Sequence, residues 1–282
     1  MGIRNVILGV VLAVCLQPGQ DVRAQEAADE AAPPPFPAFT FRRVTAPTPG
    51  QTGPRINIQI GDRASEDPVE TASAMPAPEQ GASGEADWFW QEIPAGRDFS
   101  AGRYQAVMQL LSTAPEAGSL PIARAETLLA MAEAHGPRIM QETIGTSVSP
   151  ALVLAVMAVE SRGDTVAESS AGARGLMQLI PATAERFGVT DVFDADQNIA
   201  GGVAYLDWLM AEFDRDPVLV LAGYNAGEGA VRGANGVPDY RETRDYVPRV
   251  MATWILARVL CVTPPELVTD GCVFRTMVAS NG

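Results

Sequence analysis

Apolar positions fall into two regimes along this chain. From about residue 99 to residue 260 they recur at intervals of three and four, the spacing of one buried helix face. Helices are predicted over 101–112, 122–135, 181–187, 198–213, 217–222 and 246–260. One further segment is apolar all round. From Ser149 it reads S-P-A-L-V-L-A-V-M-A-V-E-S-R-G. Ser149 suits an N-cap and Pro150 the first helical turn. The unbroken apolar run 151–159 predicts a helix buried on nearly every side. The chain is therefore mainly α.

Before residue 97 the pattern is different. The stretch 25–96 is rich in Ala, Pro, Gly, Ser, Glu and Thr, as in A-A-P-P-P-F-P-A-F from Ala31. Such composition buries too little apolar surface to offset chain entropy, so a disordered linker is expected. Two pieces stand out from it. Arg55 to Ile60 alternates strictly and could form a short strand or a docking segment. Trp88-Phe89-Trp90 is an aromatic cluster, and packing on the domain or contact with a partner are both open to it.

Glu160 closes the apolar helix, and a carboxylate there needs a reason. Burial and the negative end of the helix dipole both raise its pKa, which suits a general acid near neutral pH. Arg162, if close, opposes that. The alternative is a Glu at the edge of a core helix, salt-bridged to Arg162.

Composition removes several chemistries. The 282 residues carry a formal charge of −14, with all 20 basic residues Arg. Nucleic acid and anionic lipid both want a basic face, so neither is an expected partner. His135 is the sole histidine, which argues against a zinc site built from several His and against a Ser-His or Cys-His mechanism. There is no GxSxG elbow. No metal and no cofactor are expected. A carboxylate is left as the best reactive group.

Residues 1–24 read as a secretory signal. Arg4 supplies the charge, Val6 to Leu16 the short apolar core, and Val22-Arg23-Ala24 the cleavage site. Lipoprotein processing at Cys15 is the weaker alternative, because Val14 fits such a site poorly. Export leaves Cys261 and Cys272 as a pair in an oxidising compartment. A disulfide between them is expected, with two buried thiols as the alternative.

After Glu160 comes an ordered set of short motifs. Glu160-Ser161 is followed by Ser169, Gly175-Leu176-Met177-Gln178, then Q-N-I at Gln197 and G-G-V-A-Y-L at Gly201. Next come Tyr224-Asn225-Ala226-Gly227 and Tyr240-x-Glu242-Thr243-x-x-Tyr246-Val247. This set resembles the catalytic domain of soluble-type lytic transglycosylases, relatives of goose-type lysozyme. The resemblance covers roughly residues 145–257. Gly163 and Asp164 replace the family's usual aromatic and Asn, and Gly223 stands where Ala is usual.

The resemblance implies a lysozyme-like helical domain that binds peptidoglycan glycan strands. It implies cleavage of the β-1,4 bond between N-acetylmuramic acid and N-acetylglucosamine without water, giving a 1,6-anhydro product. Glu160 takes the acid/base role. Ser169, Gln178, Tyr224, Asn225, Tyr240 and Tyr246 are expected as substrate-binding residues. Glu242 is read as structural, in a loop with Arg241 and Arg244 as partners. Were it to face Glu160, a water-using muramidase would follow. A silent peptidoglycan-docking module is the remaining alternative. Met177 is open between core and sugar contact. Gly172 and Gly175 are expected to make the turn that carries Leu176-Met177-Gln178 into the cleft.

The expected organisation is a leader at 1–24, a linker at 25–96, a helical extension at 97–140, the catalytic domain at 141–260 and a cysteine-paired tail at 261–282. The expected location is the periplasm, with machinery of the cell envelope as a further candidate partner.

Overall fold

The computed structural model describes residues 84–275. The leader, the Arg55–Ile60 segment and most of the linker lie outside the described residues. Among those residues there are nine α-helices and no strands. They are α1 (Asp87–Glu92), α2 (Arg103–Thr113), α3 (Ala125–Thr143), α4 (Pro150–Glu160), α5 (Pro181–Arg186), α6 (Ala195–Glu212), α7 (Pro217–Ala226), α8 (Glu228–Ala234) and α9 (Arg241–Ala257). The mainly helical reading holds. No described helix is long and apolar enough to cross a membrane.

α4 is the axis. Every residue from Pro150 to Ala158 is buried, and the helix packs against α3 and α9. Ser149 starts it, as expected, but makes no side-chain cap. Its side chain is sealed in the core, its Oγ has no hydrogen-bond partner, and its backbone N–H is spent on the Val268 carbonyl. Pro150 makes the missing cap less costly, because one of the unpaired first-turn donors is absent. α7 is the second fully apolar helix, buried from Pro217 to Tyr224. Asp216 caps it by accepting the Val218 N–H at 3.0 Å. Arg103 of α2 pairs with Asp216 at 3.0 Å, and both side chains are buried. The same guanidinium donates to the Pro94 and Gly96 carbonyls.

α1 falls inside the stretch 25–96 that was expected as a linker. Phe89 is fully buried, and Gly96 bridges Gly236. The aromatic cluster is packed, and the reason lies in α9. Pro248 sits inside that helix and has no N–H, which frees the Arg244 carbonyl four residues back. The Trp90 indole N–H donates to that carbonyl at 2.8 Å, and the Arg244 guanidinium lies over the Trp90 ring. The Ala86 N–H adds a bond to Asp245. A low-complexity composition therefore conceals a segment that completes another helix. α3 runs unbroken across residue 140 to Thr143.

α9 begins at Arg241, five residues before the predicted start, so Glu242 lies in a helical first turn and not in a loop. α8 was not predicted; its seven residues are too few to show a periodicity. Cys261 and Cys272 are paired in the structure.

Candidate active site

The segment between α4 and α5 is short of regular structure and is held by buried polar contacts. Asn198 of α6 is completely buried. Its Oδ1 accepts the Met177 N–H at 2.7 Å, and its Nδ2 donates to the Arg174 and Val192 carbonyls. Gly175, at φ +75°, passes so close that a Cβ there would sit 2.3 Å from the Val192 carbonyl oxygen. Met177 points into the core, where the bare face of Gly202 receives its sulfur. Core filler is thus its role. Gln178 follows with φ +47°, an unusual value for a non-glycine residue.

The chain so anchored forms one wall of a cleft with two adjoining cavities of about 250 and about 520 Å³. Glu160, Ser169, Gln178, Asn225 and Glu242 line both. Tyr224 lines the smaller and Tyr246 the larger. Tyr240 lines neither. It precedes α9 and is half-buried, so the structure does not bring it to the cleft with the others. Thr183 and Tyr205 on the smaller side, and Arg241 and Arg249 on the larger, also line the cleft. Tyr205 falls inside the G-G-V-A-Y-L run, but nothing local singled out either Thr183 or Tyr205.

Glu160 is the last residue of α4 and is largely enclosed. Burial pushes its carboxyl up to about 7, and the negative charge of Glu242 pushes the same way. Two effects oppose them, a hydrogen bond from Tyr246 and the positive charge of Arg249. The Tyr246 hydroxyl donates to Glu160 Oε1 at 2.7 Å. Its own pKa is raised far above the ordinary phenol value, first by burial and then by Glu160, so it stays a donor. Arg162 does not join this group. It has left-handed backbone (φ 57°), is exposed, and forms no ion pair with Glu160. The salt-bridged alternative for Glu160 is thereby removed.

Glu242 shares both cavities with Glu160, and its Oε1 accepts from Asn225 Nδ2 at 3.4 Å. Arg244, expected as its partner, pairs with Asp239 at 3.2 Å. Several motif side chains are engaged with their own scaffold. Ser169 Oγ accepts the Ala173 N–H, and Gln178 Nε2 donates to the Ala167 and Gly175 carbonyls. Asn225 Oδ1 accepts from Thr243, and the Tyr224 hydroxyl donates to the Met177 carbonyl. Among the described residues no group of three His, Cys, Asp or Glu is placed to hold a metal.

Residues 139–247, which hold Glu160, Tyr246 and both walls of the cleft, match the model of the Transglycosylase SLT domain. This segment is a transglycosylase SLT domain. Over 92 residues the chain is 48% identical to a membrane-bound lytic murein transglycosylase F of Desulfosudis oleivorans, covering 30% of this chain and 20% of that protein. A putative soluble lytic murein transglycosylase of Haemophilus influenzae is 29% identical over 201 residues, covering 62% of this chain and 34% of that one. The chain thus spans a fifth to a third of the length of these relatives. The 70 kDa soluble lytic transglycosylase of Escherichia coli superposes with a TM-score of 0.43 at 21% identity, over 67% of this chain and 33% of that one. The match ends two residues before Arg249, the one lining residue of the larger cavity that lies beyond it.

Proposed function

We propose that this protein is an exported lytic transglycosylase acting on peptidoglycan glycan strands. One observation carries the reading: the cleft of an SLT domain holds a carboxyl poised near pH 7 and oriented by a protonated tyrosine. A group with that pKa is present in both protonation states at neutral pH, as acid and then base catalysis by one residue requires.

In the proposed reaction Glu160 donates its proton to the glycosidic oxygen between N-acetylmuramic acid and N-acetylglucosamine. The C1–O bond breaks, and the substrate's own N-acetyl oxygen supports the cationic C1. The resulting Glu160 carboxylate takes the proton from the muramic C6 hydroxyl, whose oxygen bonds to C1. The product carries a 1,6-anhydro ring and no water is consumed. Ser169, Gln178, Tyr224 and Asn225 contact the sugars, while Tyr246 positions the acid. Tyr240 is given no contact.

Glu242 supports a second reading. A carboxylate sharing the cleft with Glu160 could activate water, making the enzyme a muramidase. Digestion of purified peptidoglycan in ¹⁸O-water separates the two. Anhydro products lighter by one water, without label and without a reducing end, are expected. Labelled reducing muropeptides would establish hydrolysis, and the absence of any soluble product would leave a docking module.

A further inference from the structure

The larger cavity contains a cation whose charge acts on Glu160 but which exchanges no proton in the proposed reaction. Arg249 lies two turns into α9 and lines the cavity beside Glu160 and Tyr246. Its side chain is partly buried, and its Nε is sealed from solvent with no hydrogen-bond partner. Among the described residues no carboxylate lies within 4 Å of its guanidinium. The nearby acids are engaged elsewhere. Asp245 accepts the Ala86 N–H at 3.1 Å and faces Arg241 at 3.9 Å. Glu242 accepts from Asn225, and Glu160 from Tyr246. A donor sealed from solvent with no partner in the protein is unfavourable, and a ligand that brings an acceptor satisfies it. A guanidinium is suited to this because its fork matches a carboxylate in two parallel bonds.

We propose that Arg249 forms a carboxylate-binding subsite beside Glu160, which receives an anionic group carried by the muramic acid of the bound strand. The proposal rests on the peptidoglycan reading above and adds a determinant of substrate choice. The carboxylate has two sources: the stem peptide, or the lactyl group of a strand stripped of peptide. The cavity of about 520 Å³ lies within the range that accommodates small ligands.

The test uses the full-length Glu160→Gln protein, which binds without turnover. Its affinity is measured for peptide-bearing strands and for amidase-stripped strands, each before and after the carboxylates are converted to methylamides. Amidation is expected to weaken binding about tenfold for the strand type that carries the recognised group, which identifies the source. Adding Arg249→Gln is expected to give the same loss on native strands and no further loss on amidated ones. Arg249→Lys is expected to recover part of it. Equal losses on native and amidated strands would make Arg249 a structural residue and overturn the proposal. Affinity indifferent to amidation would overturn it as well, and that comparison needs no Arg249 variant to fold. Failure to bind any strand would overturn the peptidoglycan reading and the subsite together.

Discussion

The Tyr246 hydroxyl donates to Oε1 of Glu160 at 2.7 Å, across 86 positions of sequence. One bond thus joins the end of the most buried helix to the second turn of α9. It opposes the effect of burial, which is the larger of the two, and the carboxyl settles near 7.

Replacing Glu160 by Gln is expected to abolish lysis of purified peptidoglycan with the fold intact. Gln preserves shape but has no acidic proton to give. Activity above a few per cent of the parent would remove Glu160 from the mechanism.

The same substitution carries a stability signature. A folded pKa near 7 against 4.5 unfolded means that the native state binds the proton more tightly. That contribution is present below about pH 4.5 and is lost as pH rises through 7. The Glu160→Gln protein is therefore expected to gain stability over the parent as pH climbs across this window, by at most about 3 kcal/mol. Denaturant titrations at pH 4.5 and pH 8 check it, and a difference independent of pH would contradict the raised pKa.

Tyr246→Phe removes an interaction that lowers the Glu160 pKa. If the protonated carboxyl is the active form, kcat/KM falls as pH rises through 7 in the parent. In the variant the fall is expected at higher pH, with a reduced plateau because the carboxyl loses its anchor. A plateau loss with an unmoved pH profile would assign Tyr246 to packing alone.

Trp90→Phe is expected to destabilise the protein by about 1–3 kcal/mol, since it strands the Arg244 carbonyl. Pro248→Ala restores a helical N–H to that carbonyl. In the Pro248→Ala background the Trp90→Phe cost is expected to shrink markedly. A double-mutant cycle by urea unfolding measures the coupling, and strict additivity would refute the account.

If residues 1–24 act as a secretory signal, as proposed, the mature chain is expected to begin near Gln25 and to show no titratable thiol after denaturation without reductant, given the pairing of Cys261 with Cys272. Reduction is expected to lower its stability. Two reactive thiols, or a lipid on Cys15, would count against this.

Much of the helical framework was legible in the chain. A run such as 151–159 is apolar on every face, so burial follows whatever packs around it. Glu160 was legible as the carboxylate that ends this run, whereas Gln178 and Asn225 were expected only through the family resemblance of the motifs that hold them; all three line the cleft. Other features were not. Pattern placed the start of α9 too late, because Arg241 to Asp245 is polar and its helical state depends on tertiary contacts, including the bond from Ala86 to Asp245. The aromatic cluster stood out from its surroundings, but pattern could not name the partner of Trp90, which is a carbonyl 154 residues away. Local pattern determined which segments are helices and which carboxylate ends the buried one. Only the packing of α9 against α4 decided that Tyr246, Glu242 and Arg249 surround that carboxylate. Periodicity reports which face of a helix is buried, whereas the pKa of Glu160 depends on which side chains of another helix reach it.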